Sequence, residues 1–290
     1  MGIPLVGRDP QSWDTRGVLA AEPKPVGKQG VVRVGEGDAR GVPWMAMTNG
    51  EPMDLVTVAV DELSELDPFV LMADEARRID AFASTLDDTR WRTPTGCDGW
   101  DRHDLIAHLA GSEQYNHACI DDAIGQLMGE MSAAGVSDVS SFNQWTVAAR
   151  REAPHDRVLE EWRTAAARTQ IELEARDGGE VPTMVGPYPA RWQAFHLAAE
   201  LATHADDLGV PVAEAEGAAR LAWRARATRF FLAESRPELH VTSTGGGTLV
   251  RVGDLEVTLD DQTLVAAANG RLVDSERVAP SVREALVLMP

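Results

Sequence analysis

The chain has 290 residues, 44% of them hydrophobic, and a formal net charge of −19. That length allows one large domain or two ordinary ones, and the composition supports a packed core rather than global disorder. The acidic balance repels phosphate backbones and anionic lipid surfaces, so a general nucleic-acid binder or membrane-surface protein is excluded as a first reading.

No apolar run approaches the ~18 residues that a spanning helix needs. The opening residues, MGIPLVGRDP, have neither the basic start nor the apolar stretch of a secretory leader. Cys97 and Cys119 are the only cysteines, too few for a disulfide framework, and a cytoplasmic location is expected. Lys24 and Lys28 are the only lysines among 27 basic residues, a bias typical of GC-rich coding sequences.

Residues 1–66 are rich in Gly and Pro and carry no chemical motif. They read as an N-terminal extension of unknown role, with a strand at 30–35 and a short helix over about 56–66. From Pro68 the pattern turns helical: Phe69, Met72, Ala76, Ile79, Phe82, Ala83 and Leu86 recur at i, i+3, i+4 spacing. A loop rich in breakers follows at 93–100. A second helix is expected over about 101–131, with Leu105, Ile106, Leu109 and Ile120 buried, then a Ser/Gly/Val linker at 132–142. A third helix is expected over about 156–175, ended by Asp177-Gly178-Gly179. The fourth begins near Pro189, a residue suited to a first helical turn, and runs to Leu208, where Gly209 and Pro211 stop it. Four such helices imply a bundle with sites built between facing helices. The last third changes character: a helix over 213–235, short alternating strands at 239–243, 248–252 and 255–259, and helices over 263–269 and near 281–288. The fold class expected is α+β, mainly α: a bundle over 67–211 followed by a small α+β domain over 212–290.

The chemistry concentrates on the fourth helix. In His196-Leu-Ala-Ala-Glu200-Leu-Ala-Thr-His204 the spacing of four puts three potential metal ligands on one helical face. On the second helix, Asp104-Leu-Ile-Ala-His108 sets a histidine among apolar residues; in such a setting a histidine is more commonly a hydrogen-bonded core residue. Yet His108, Glu200 and His204 together would supply two nitrogens and a carboxylate from two helices, the three protein ligands of a catalytic zinc with one position open. His196 reads either as a helper of that site or as a substrate contact, and Asp104 as a group one turn before His108. Cys97 could be a metal-site thiol or a small buried hydrophobe. His103, His117, His155 and His240 have no partner at ligand spacing. No phosphate loop, dinucleotide fingerprint or Ser-His-Asp arrangement is present.

The stretch Trp91-Arg-Thr-Pro-Thr-Gly-Cys97-Asp-Gly-Trp100-Asp-Arg-His-Asp104-Leu-Ile-Ala-His108-Leu resembles the W-x-x-P-T-x-C-x-G-W-T-V-x-D-L-x-x-H-L signature of mycothiol-dependent maleylpyruvate isomerases. Glu200-Leu-Ala-Thr-His204-Ala-Asp-Asp207-Leu resembles their second motif, E-x-x-x-H-x-x-D-L. Asp101-Arg102 replaces the usual Thr-Val, and residues 1–66 have no counterpart in the family. The resemblance implies a DinB-like four-helix metal-binding bundle and a small sterol-carrier-like C-terminal domain. It further implies a divalent metal, zinc, on His108, Glu200 and His204, with Asp207 beside it. In Asn269-Gly270-Arg271 it implies that Arg271 reaches the active site and holds a substrate carboxylate. The lysine shortage then fits an actinobacterial source, where mycothiol occurs. The function expected is a zinc-dependent enzyme using mycothiol on a small electrophile, as isomerase or S-transferase, because a divalent ion lowers the pKa of a thiol that it coordinates. The partner is a small-molecule substrate, a carboxylate among the options, with neither nucleic acid nor membrane. Two other readings of the same metal stay open: a thiol-independent hydrolase or epimerase, and a non-catalytic metal-stabilised binding or regulatory module.

Overall fold

Asp67 caps the first long helix, accepting from the backbone N–H of Phe69 at 3.0 Å, and Pro68 takes the position where a missing N–H costs nothing. The computed structural model describes residues 62–272 and 278–288. The strand expected at 30–35 and most of the helix expected over 56–66 lie outside the described residues.

Helix α1 (Pro68–Ala83) buries Phe69, Met72 and Ile79, each worth about 1.5–3 kcal/mol against leaving it exposed. A single turn, α2 (Asp88–Trp91), precedes the loop at 92–101. Helix α3 (Arg102–Ile120) is capped by the Asp101 side chain and is buried at every residue from His103 to Glu113. It is the central helix, so its polar side chains on that stretch face protein and not water.

Here the structure differs from the sequence reading. The second helix does not continue to residue 131, because Asp122 adopts a φ of 55°, a left-handed conformation that aspartate tolerates better than most side chains. The chain restarts as α4 (Ile124–Ala133). The stretch expected as a linker ends in another helix, α5 (Val139–Ala148), started by a capping box in which Asp138 and Ser141 satisfy each other's backbone N–H groups.

Helix α6 (His155–Glu174) follows, then an antiparallel hairpin of β1 (Glu180–Thr183) and β2 (Gly186–Pro189). Helix α7 (Ala190–Leu208) ends at Gly209, whose φ of 76° caps it. The long helices α1, α3, α6 and α7 form the four-helix bundle, around a core that includes Ile79, Leu105, Trp162 and Phe195.

Helix α8 (Glu214–Ser235) joins this bundle to the C-terminal unit. Its Trp223, Phe230 and Phe231 belong to the bundle core, whereas Leu232 belongs to the next. Arg220 fixes it in place, bonding Glu75 of α1 at 2.8 and 3.0 Å and Asp206 of α7 at 2.8 Å. Beyond it, β3 (His240–Thr244), β4 (Gly247–Val252) and β5 (Leu255–Leu259) make an antiparallel sheet in sequence order. Helices α9 (Asp261–Ala268) and α10 (Pro280–Leu286) pack with it through Val250, Leu264 and Leu286. The fold is α+β and mainly α, a four-helix bundle followed by a small α+β unit. Among the described residues no helix is long and apolar enough to cross a membrane.

Candidate metal centre

Helices α3 and α7 bring His108, Glu200 and His204 together. One potential ligand atom from each lies within 4.8 Å of the other two, and all three residues are buried. His108 Nε2 stands 3.6 Å from Glu200 Oε1, too far for a hydrogen bond. It is close to the roughly 3.4 Å that separates two ligands at about 2.1 Å from one tetrahedral ion. Burial holds the His108 imidazole down at about 4, so at neutral pH it is an uncharged lone-pair donor. Its Nδ1 is buried with no hydrogen-bond partner. Trp100 covers it, ring centroids 5.0 Å apart, and the His108 and His204 rings meet edge-on at 5.0 Å. Two imidazoles and a carboxylate that converge in a buried space make a donor set that suits a divalent ion.

The far edge of His204 is fixed by chemistry. Its Nδ1 lies 3.1 Å from Asp207 Oδ2. Burial alone would raise the Asp207 carboxyl, but hydrogen bonds from Arg271 and His204 outweigh it and hold the group well below its usual range. An ionised carboxylate only accepts, so Nδ1 carries the proton and Nε2 the lone pair. A carboxylate behind a metal-binding imidazole sets its tautomer and orientation in this way.

Asp207 also receives Arg271, Nε at 2.9 Å and Nη2 at 2.8 Å, a two-pronged pair that draws the C-terminal unit to the rim of the cluster. Cys97 completes the group. Its Sγ lies 3.3 Å from Asp207 Oδ2, 3.4 Å from Arg271 Nη2 and 3.9 Å from His204 Nδ1. Cys97, His204 and Asp207 satisfy the same 4.8 Å criterion as the buried trio, but burial, then the Asp207 charge, push the thiol up to about 12. It therefore sits protonated, donating to Asp207, and the guanidinium supplies the positive charge on that side.

The other histidines and Asp104 lie elsewhere. Asp104 bonds Arg151 at 3.2 Å, at the start of α3. His196 turns from the trio to Tyr188 and Glu234, each at 3.1 Å, and stacks on Phe231. His103 pairs with His155 at 2.7 Å, His117 meets the Ala165 carbonyl, and His240 is exposed. Two neighbours of the cluster were not singled out by spacing. Gly96 allows the loop to touch α7, donating to the Asp207 carbonyl at 3.0 Å. Glu113, five residues after His108, is a buried carboxyl bonded to Asn116 and Thr169. Only the full burial of α3 reveals it, since on a surface helix this glutamate would face water.

Residues 72–209 match the family model described as the mycothiol maleylpyruvate isomerase N-terminal domain. The helical bundle matches this family's N-terminal domain. All three residues of the buried trio fall within the mycothiol maleylpyruvate isomerase N-terminal domain, whereas Arg271 lies beyond it. Among solved structures, the chain resembles the crystal structure of the mycothiol-dependent maleylpyruvate isomerase at 18% identity and a TM-score of 0.50, over 73% of this chain and 93% of that one. A histidine-to-alanine mutant of that enzyme aligns at 17% identity and a TM-score of 0.49, with the same coverage. At these identities the likeness is one of fold. No curated protein matches the sequence.

Proposed function

We propose that the chain is a metal-dependent enzyme that uses mycothiol as nucleophile on a small electrophilic substrate, as isomerase or S-transferase. The observation that carries this reading is the buried convergence of His108, Glu200 and His204 inside a domain of the mycothiol maleylpyruvate isomerase family. His108, Glu200 and His204 would hold the ion, with zinc the choice that suits two imidazoles and a carboxylate. Once bound, such an ion lowers the pKa of a coordinated thiol and keeps it as thiolate.

The chain's own residues do the rest. Asp207 orients His204 through Nδ1. Trp100 and the walls of α3 and α7 keep bulk water from His108, which preserves the strength of charge interactions there. Arg271, about 40% exposed, gives Nε and Nη2 to Asp207, Nη2 also to Cys97, and one Nη1 N–H to the Asn269 carbonyl; its remaining Nη1 N–H is what it would offer a substrate carboxylate. The two cysteines are free, and Cys97 is held protonated, which leaves an external thiol as nucleophile. We place the bundle at 67–211 and the α+β domain at 212–290, with residues 1–66 an extension of unknown role, and the protein in the cytoplasm of an actinobacterium. Its partners are small molecules, with neither nucleic acid nor membrane.

The test is consumption of maleylpyruvate and other small unsaturated acids by the zinc-loaded protein with and without mycothiol. Turnover or adduct formation only with mycothiol supports the proposal. Equal turnover without thiol contradicts it and favours a hydrolase or epimerase.

A further inference from the structure

Beside Glu200, between α1, α3, α6 and α7, lies a cavity of about 20 Å³, lined in part by Ser112, Glu113, Asn116, Trp162, Thr169 and Glu200. That volume admits a single water molecule, and a buried water typically makes about three hydrogen bonds. The lining supplies them. Trp162 is 1% exposed, and its Nε1–H, a donor that can do nothing else, is buried with no partner. Glu113 receives both Asn116 and Thr169 on Oε2; its Oε1 has no protein donor among the described residues. Glu200 faces the same space, where Ser112 Oγ reaches its Oε1 at a long 3.5 Å.

We propose that this cavity is a hydration site of the metal centre, holding one water that accepts from Trp162 Nε1–H and donates to the Glu113 and Glu200 carboxylates. Glu113 and Trp162 are then positioning residues. Through the water they fix the carboxylate plane of Glu200, and with it the oxygen presented to the ion. The chemistry of the lining favours water: an indole donor without a partner and two carboxyl groups border a space of about 20 Å³. A buried indole N–H left unmet destabilises the fold, and the water removes that cost. The inference rests on the reading of His108, Glu200 and His204 as ligands.

The test uses the full chain, stripped of metal and titrated with Co²⁺ alone. Affinity and the visible d–d bands are followed for wild type, Trp162→Phe and Glu113→Leu. Trp162→Phe removes the donor and Glu113→Leu removes the acceptor. Each is expected to weaken Co²⁺ binding about tenfold, as loss of outer partners of metal ligands does, and to shift the bands because the geometry of Glu200 relaxes. A loss of packing alone would lower the melting temperature without moving the bands. If wild type binds one Co²⁺ per chain and both variants match it in affinity and spectrum, the hydration site is wrong and the metal reading stands. If wild type binds no stoichiometric Co²⁺, the metal reading falls and takes the hydration site with it.

Discussion

Glu113→Gln gives a stability change whose size depends on pH. Burial is the largest influence on the Glu113 carboxyl; donation from Thr169 and Asn116 opposes it, the Glu200 charge adds to it, and the result is a rise from an ordinary 4.5 to about 7. The folded chain therefore keeps this proton to higher pH than the unfolded chain does. Below about pH 4.5 both states are protonated and nothing is lost. Between 4.5 and 7 the unfolded state ionises first, so stability falls as pH rises, and above 7 it stays at the lower level. At about 1.4 kcal/mol per pH unit, the part of that span lying between pH 5 and pH 8 is worth about 2–3 kcal/mol. Glutamine keeps an oxygen for Thr169 and Asn116 but has no proton to lose. Urea melts of the metal-free protein at pH 5 and pH 8 should show the variant gaining on wild type by about 2–3 kcal/mol at the higher pH, or about 5–10 °C in melting temperature. A wild-type-to-variant difference that is the same at both pH values, or that shrinks at pH 8, would refute the placement of Glu113 as a buried carboxyl without a countercharge.

Three further substitutions probe the geometry. Gly96→Ala would set a Cβ 2.5 Å from Asp207 Oδ1 and 3.2 Å from its Cα, so Asp207 must move from His204 and Arg271; zinc affinity measured by competition with a chromophoric chelator should drop. Gly111→Ala would set a Cβ 2.4 Å from the Thr146 Cβ and Oγ1, wedging α3 from α5, and should cost about 1–3 kcal/mol in a urea melt. Asp207→Asn keeps the size but loses the charge behind His204 and opposite Arg271; zinc should bind with unchanged stoichiometry and roughly 10–100-fold weaker affinity.

The parts of this molecule legible in its sequence are those where local chemistry and tertiary packing agree. Helix α1 announces itself by the spacing of Phe69, Met72 and Ile79, and α7 by Pro189 at one end and Gly209 at the other; both ends match the structure. The break after Ile120 is hidden because it rests on Asp122 in a left-handed conformation, with no proline or glycine at that point. Helix α5 is hidden because its capping box pairs Asp138 with Ser141, and a Ser-Asp-Val-Ser-Ser run reads as polar linker until those hydrogen bonds form. The hairpin before α7 carries Pro182, Pro187 and Pro189, residues that argue against strands, and it survives as an isolated two-stranded ribbon. At the candidate site, the four-residue spacing of Glu200 and His204 and the two motifs point to the trio that α3 and α7 bring together. His196 shares that spacing, yet Tyr188 and Glu234 capture it, a competition that a helical wheel does not contain. Cys97 and Glu113 depend on contacts across 110 and 56 residues of chain, which no local pattern records.

The most direct test is to measure zinc per chain and the mycothiol-induced thermal shift in wild type and in His108→Ala. One zinc per wild-type chain is expected. Mycothiol at a hundredfold excess over its Kd should add about 2.7 kcal/mol of stability, with both effects lost in the variant. A wild-type protein without stoichiometric metal, or a mycothiol shift that survives in His108→Ala, would contradict the account.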